Sequence, residues 1–172
     1  MIKVGVLTIS DKGAKGARKD ESGPLIEEIV KKIAGEVKYY KIIPDEIEVI
    51  KQELKKVVDK LDLDLVFTTG GTGLGERDVT PEATSSVIDK EIPGICEIIR
   101  MESFKKTRRS ILSRAVSGMR KKSLIINLPG SPKGVEEALE IILSSLPHAL
   151  EIIKGEAKEC ASKRKKDSGD YC

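Results

Sequence analysis

The sequence has no tryptophan, two phenylalanines, three tyrosines, one histidine and three cysteines. So few aromatic rings leave little on which unpaired bases could stack, so single-stranded nucleic acid is not expected as a partner. A lone His148, in "LPHAL", cannot build a histidine-rich metal centre. Its setting in a terminal helix reads as a surface or packing position, and no Ser/His/Asp hydrolase signature accompanies it. Cys96, Cys160 and Cys172 are odd in number and lack metal-like spacing, which argues against a disulfide framework and for a reducing compartment. No apolar run approaches membrane-spanning length, and "MIKVGVLTIS" is too short and too β-rich for a signal peptide. A soluble cytoplasmic protein is the expectation.

Charge, by contrast, is plentiful. Charged residues make up 34% of the chain, yet the net charge is only +3, which describes a solvated, ion-paired surface more than a nucleic-acid footprint. The length of 172 residues suits one domain with a tail. We place the domain at residues 1–155 and a polar tail, read as frayed, at 156–172.

"IKVGVLTI" is rich in β-branched residues and predicts a buried strand. A polar loop follows, then "PLIEEIVKKIAG" as an amphipathic helix, with Pro24 opening it and Gly35 just past its end. "EVKYYKIIP" predicts a second strand. In "DEIEVIKQELKKVVDKL", Ile47, Ile50, Leu54, Val57, Val58 and Leu61 recur at helical spacing. "DLVFTTGG" is a third strand entering a glycine loop, and "TPEATSSVIDKEI" and "PGICEIIRMESFKK" predict two helices. "SLIINL" predicts another strand, and "SPKGVEEALEIILSSLPHALEIIKG" one or two closing helices. Alternation of this kind predicts an α/β fold of three layers, a mostly parallel sheet with helices on both faces.

In such sheets ligands bind beyond the carboxyl ends of the strands, which selects the loops after Ile9, Thr68 and Leu128. The second, "TTGGTGLGERDVTPEA", is the most informative. Gly70, Gly71, Gly73 and Gly75 let backbone N–H groups approach a ligand, and Thr69 and Thr72 add hydroxyls, a pattern that suits a phosphate. The same glycines would also serve a tight strand-to-helix turn. Neither the P-loop nor the dinucleotide fingerprint fits, because Glu76 and Arg77 follow Gly75.

Asp78 beside such a nest makes sense if a divalent cation lies between carboxylate and phosphate. It would equally serve as a helix cap or as a partner of Arg77. Thr80, just before Pro81, is the better cap by position. Ser10 and Asp11 leave the first strand, and Asp20, Ser22 and Gly23 lead into its helix. Asp45 follows the second strand and reads equally as an N-cap. Pro129, Gly130, Ser131 and Lys133 form a third polar turn, in which Lys133 either neutralises phosphate or is an ordinary helix-face lysine.

Taken in order, "LTISDKGAKGARKDESGP", "IPDE", "TTGGTGLGERDVTPEA", "SILSRAVSG" and "LIINLPGSPKG" resemble the molybdopterin adenylyltransferase family. That family includes the bacterial MogA and MoaB proteins and the G domains of gephyrin and its plant counterpart. The resemblance spans roughly residues 1–155. It implies Mg²⁺- and ATP-dependent adenylylation of molybdopterin, release of pyrophosphate, and hand-over of the product to a metal-insertion protein for molybdenum or tungsten. It also implies a homotrimer. Carried over by motif, Asp78 and Asp45 are the catalytic and Mg²⁺-positioning carboxylates. Ser10, Asp11, Gly70, Gly71, Thr72, Gly73, Thr80, Pro129, Gly130, Ser131 and Lys133 lie in the nucleotide- and pterin-binding blocks, and Ser103 in "RMESF" matches a position facing the pterin. One segment departs from the pattern. Relatives read Thr-Pro where this chain has Thr107-Arg108, so the resemblance does not give that loop's shape. Three other readings share the fold: a non-catalytic molybdopterin carrier, a trimeric scaffold, and an enzyme of nucleotide or nicotinamide-nucleotide salvage.

Overall fold

The computed structural model describes residues 1–156. The β-branched run Ile2–Ile9 forms β1, and all but its first two residues are buried. A single helical turn, α1 (Asp11–Ala14), leads into the polar loop, and α2 (Ser22–Val30) returns along the sheet. Here Pro24 is the third helical residue, not the first. The helix does not reach Gly35. A short 3₁₀ turn follows Val30, Ala34 closes it at φ +55°, and Gly35 already begins β2 (Gly35–Ile43). The remaining elements are α3 (Ile47–Asp59), β3 (Leu65–Thr69), α4 (Thr80–Ser85), β4 (Lys90–Glu91), α5 (Pro93–Phe104), β5 (Ser117–Arg120), β6 (Ser123–Leu128), α6 (Pro132–Ile142) and α7 (Leu146–Lys154).

The six strands form one sheet in the order β2-β1-β3-β6-β5-β4. The first four run parallel, while β5 and β4 are antiparallel to their neighbours. Register is what makes the site. Thr8 pairs with Thr69 and Thr69 with Leu128, so β1, β3 and β6 end level and release their loops at one edge.

Side chains alternate across the sheet and build two cores. Val4, Val6, Phe67, Leu124 and Ile126 face α2, α5, α6 and α7 through Ile26, Ile99, Leu139 and Leu150. Leu7, Ile9, Val66 and Ile125 face α3 through Ile50, Leu54 and Val57, with Ala83 and Val87 beside them. Each fully buried Leu, Ile or Phe contributes on the order of 1.5–3 kcal/mol, so the two layers hold the sheet edge rigidly.

Two expectations fail locally. The helix predicted over "TPEATSSVIDKEI" ends at Ser85, and Lys90–Glu91 is a strand. The reason lies in Val87, which is buried against α3 and pulls the chain inward. The Ser86 hydroxyl donates back to the Ala83 carbonyl at 2.7 Å as the helix ends. The second miss is β5, a short Gly-containing strand between β6 and β4 with no apolar run. The frayed-tail reading, with Cys160 and Cys172, lies outside the described residues.

Candidate functional site

All three loops selected from sequence, together with the turn after β2, meet at the carboxyl edge of the parallel strands. Two cavities open there, of about 380 Å³ and about 310 Å³. The first is lined by Ser10, Asp20, Asp45, Gly70 and Gly71 and is bordered by Arg18 and Lys19. The second has a partly apolar wall of Cys96, Ile99 and Leu112, with Ser103, Arg100, Thr72 and Gly73 facing it. Gly130 and Ser131 line both cavities, so the turn after β6 is their common wall.

The glycine loop is shaped by backbone geometry. Gly70 and Gly71 have φ +102° and +63°, values that a Cβ disfavours. A Cβ on Gly70 would also strike the Ile9 carbonyl, and one on Gly71 would strike Thr80 Oγ1 and lie 3.1 Å from Asp45 Oδ1. Beneath the loop, Thr69 donates its hydroxyl to the Pro129 carbonyl at 2.6 Å, which ties the ends of β3 and β6 together. Deeper, the Asn127 amide donates to Thr68 and Thr84 Oγ1, each at 2.9 Å, while its carbonyl oxygen accepts from Val116 N at 3.1 Å.

Four sequence-derived candidates take roles that their motifs did not reveal. Asp45 is not an N-cap. Its Oδ2 accepts from the Asp11 backbone N–H at 2.7 Å, and Asp11 Oδ1 accepts from Asp45 N–H at 3.1 Å, so the turns after β1 and β2 lock together. Asp78 caps no helix and does not pair with Arg77. It accepts from Gly75 N–H at 2.8 Å and thereby closes the glycine loop. Arg77 instead reaches Asp11, with Nε at 3.0 Å and Nη2 at 2.9 Å. Thr80 is the first residue of α4 rather than its N-cap, and its fully buried Oγ1 has no hydrogen-bond partner. Ser10 and Ser131 do cap helices, accepting from Gly13 N–H at 3.0 Å and Gly134 N–H at 3.2 Å. Lys133 is exposed on α6 and lines neither cavity.

The carboxylates differ in electrostatics. The hydrogen bond from Arg77 holds the Asp11 carboxyl below its ordinary value. Burial pushes the Asp45 carboxyl up; the Asp11 N–H pulls it back, and the negative charges of Asp11 and Asp78 raise it further. Asp45 is thus shifted in the opposite direction to Asp11. For Asp20, burial alone would raise the carboxyl, but hydrogen bonds from Thr8, Tyr40, Gly23 and Ser22 outweigh it and hold it below the ordinary range. Both Asp20 oxygens are occupied, so it braces the cavity wall and closes the start of α2.

Sequence reasoning missed Arg114. Its backbone N–H donates to the Thr72 carbonyl at 2.9 Å and its Nε to the Gly73 carbonyl at 2.7 Å. The guanidinium also donates to the Asp78 carbonyl and pairs with Glu82. Its only trace in the sequence is its place in "SILSRAVSG", a segment in which nothing local marks the arginine. The departing segment, for its part, folds as a 3₁₀ turn over Arg108–Leu112 with Thr107 extended before it. His148 is exposed beside Glu151, away from both cavities. Cys96 is buried and borders the second cavity.

Comparison with known proteins follows the same blocks. The family described as "probable molybdopterin binding domain" matches residues 5–148. A molybdopterin adenylyltransferase of Helicobacter pylori is 45% identical over 156 residues, covering 90% of this chain and 89% of its own length. The crystal structure of the molybdopterin biosynthesis enzyme MoaB from Thermus thermophilus is 48% identical, with a TM-score of 0.86 over 90% of this chain and 98% of that one. The tungsten cofactor synthesizing protein MoaB from Pyrococcus furiosus is 41% identical at a TM-score of 0.82, over 89% of this chain and 97% of that one. With the sheet order, the glycine loop and likeness over 90% of the chain in agreement, the chain belongs to the molybdopterin adenylyltransferase family of MoaB and MogA type.

Proposed function

We propose that this protein catalyses Mg²⁺- and ATP-dependent adenylylation of molybdopterin. A terminal phosphate oxygen of the pterin attacks the α-phosphorus of ATP, the new P–O bond forms, and the bond to pyrophosphate breaks. The attacking oxygen is already ionised, so no general base is required. Alignment and charge neutralisation supply the rate. The observation that carries the reading is the pair of cavities sharing the Gly130–Ser131 wall, with the glycine loop at their junction. Two ligands seated there bring their ends together.

The polar cavity with Arg18 and Lys19 suits the nucleotide, and the partly apolar one with Ser103 and Arg100 suits a flat pterin. Gly71, Thr72 and Gly73 would offer N–H and hydroxyl donors to the phosphates between them. Among the described residues no cluster of three His, Cys, Asp or Glu is placed to hold a metal. That fits Mg²⁺, which commonly takes one or two carboxylates plus substrate phosphates and water. Asp45, raised by burial and by its acidic neighbours Asp11 and Asp78, fits a cation, and Thr80 Oγ1 is an unclaimed oxygen beside it. Asp45 and Asp78 would hold the ion, whose positive charge would offset that of the phosphates when bound.

A homotrimer would cover the exposed apolar side chains Ile98, Met101 and Phe104 of α5 and Ile111 and Leu112 beyond it. Light scattering checks that assembly. The product would pass to a metal-insertion protein in the cytoplasm. No helix among the described residues is long and apolar enough to cross a membrane.

The test is incubation of the protein with molybdopterin, ATP and Mg²⁺, following adenylylated pterin by mass. Product is expected from the wild type and is expected to drop at least about 100-fold in Asp78→Asn, on the scale of losing an electrostatic catalytic group. Tight pterin binding without product would replace this reading with the carrier.

A further inference from the structure

Arg114 lines neither cavity, yet it holds the glycine loop, whose Gly70 and Gly71 line the first cavity and whose Thr72 and Gly73 line the second. On one side its guanidinium holds the carbonyls of Gly73 and Asp78, and its backbone N–H holds that of Thr72. Those three residues carry the glycine loop from the second cavity to the Asp78 brace. On the other side, its chain neighbours Ser113 and Ala115 line the second cavity. Their carbonyls accept from Arg100 Nη1 at 3.5 Å and 3.0 Å, and Arg100 itself faces that cavity. A continuous path therefore runs from Arg100 through residues 113–115 to Arg114 and the glycine loop. Glu82 on α4 fixes the far side of the guanidinium.

We infer that Arg114 is a positioning residue that couples occupancy of the two cavities. A ligand seated in the pterin cavity packs against the 113–115 segment, which orders Arg114. Through three carbonyls Arg114 then holds the glycine loop in its anion-receiving form. The loop ordering is done once, by whichever ligand arrives first, so the second ligand binds more tightly. The effect is reciprocal by thermodynamic necessity. No other described side chain spans this gap with hydrogen bonds to both Gly73 and Asp78. The inference rests on the assignment of nucleotide and pterin to the two cavities, and adds an interaction between them that this assignment does not require.

The test is calorimetric titration of the intact protein with α,β-methylene-ATP and Mg²⁺, which bind without turnover, in the absence and presence of saturating molybdopterin. In the wild type, molybdopterin is expected to tighten nucleotide binding by about fivefold or more. In Arg114→Met the ratio of nucleotide affinities with and without molybdopterin is expected to fall to about one, whatever the affinity for each ligand alone. Arg114→Lys, which keeps a donor, is expected to restore part of the gain. Should Arg114→Met fail to fold by circular dichroism, Glu82→Gln removes the guanidinium's carboxylate partner at an exposed position and is expected to lower the gain at least twofold. A gain preserved in the folded Arg114→Met or Glu82→Gln variant overturns the inference. So does a wild type that binds both ligands independently. A wild type that binds neither ligand overturns the functional reading and the coupling together.

Discussion

Replacing Gly71 by alanine tests the glycine loop most directly. The perturbation has two separable parts. Gly71 sits at φ +63°, in the left-handed region, where a residue with a Cβ costs roughly 1–2 kcal/mol. The new methyl would also strike Thr80 Oγ1 and lie 3.1 Å from Asp45 Oδ1. Overpacking of that kind typically costs about 1–3 kcal/mol. Together they give about 2–5 kcal/mol against a total stability of roughly 5–15 kcal/mol. The variant should therefore fold at 25 °C and melt about 5–15 °C below the wild type. Thermal unfolding followed by circular dichroism measures this. Because the methyl intrudes beside Asp45, which lines the polar cavity with Gly71, affinity for α,β-methylene-ATP should fall more than about tenfold in the folded variant. Gly94→Ala is the control. It lies in the first turn of α5 with open space around it, and the same change should be neutral or stabilise by about 0.5–1 kcal/mol. A Gly71→Ala protein that melts within about 2 °C of the wild type and binds nucleotide equally well would refute the geometric argument.

Asn127→Ala removes three hydrogen bonds from a buried site and leaves Thr68, Thr84 and Val116 N without their partner. Urea denaturation should show a loss of about 2–4 kcal/mol, and a loss under about 1 kcal/mol would mean that the network carries little. Hydrogen bonds from Arg120 and Lys121 hold Asp59 down at about 2, against 3.8 in the unfolded chain. With the folded value depressed, the stability it contributes is present above pH 3.8 and is lost as pH falls through about 2. Asp59→Asn should therefore lose its handicap relative to the wild type across that acid window, and parallel urea midpoints from pH 5 to about 2 would contradict the assignment. Tyr40 is pushed up to about 12 by burial and by the Asp20 carboxylate. Ultraviolet titration should find a tyrosine ionising at about 12, and its absence in Tyr40→Phe identifies it.

Strands β1, β3 and β6 were readable because their β-branched runs are buried on both faces, and α3 because its apolar positions recur at helical spacing. The strand β5 was not, since "SGMR" has no run of its own and exists through pairing with β6 and β4. The convergence of the three loops followed from strand polarity alone. What the carboxylates do there did not. Asp45 meets Asp11 across 34 positions, Asp11 meets Arg77 across 66, and Arg114 meets Asp78 across 36, and local spacing carries no trace of such pairings. Thr80 misled for a related reason. Its position before proline promises a cap, yet its backbone N–H donates to the Gly71 carbonyl and its hydroxyl is buried beneath Gly71 without a hydrogen-bond partner.

The sheet also ends unusually at one side. Its last strand, β4, is two residues long, and both Lys90 and Glu91 are exposed. A neighbouring chain seeking to add a strand would find almost no ladder to extend and two charges to desolvate. Growth by edge-to-edge pairing is therefore blocked at that end, which protects a sheet with a long-range, slow-forming parallel topology while it is still assembling.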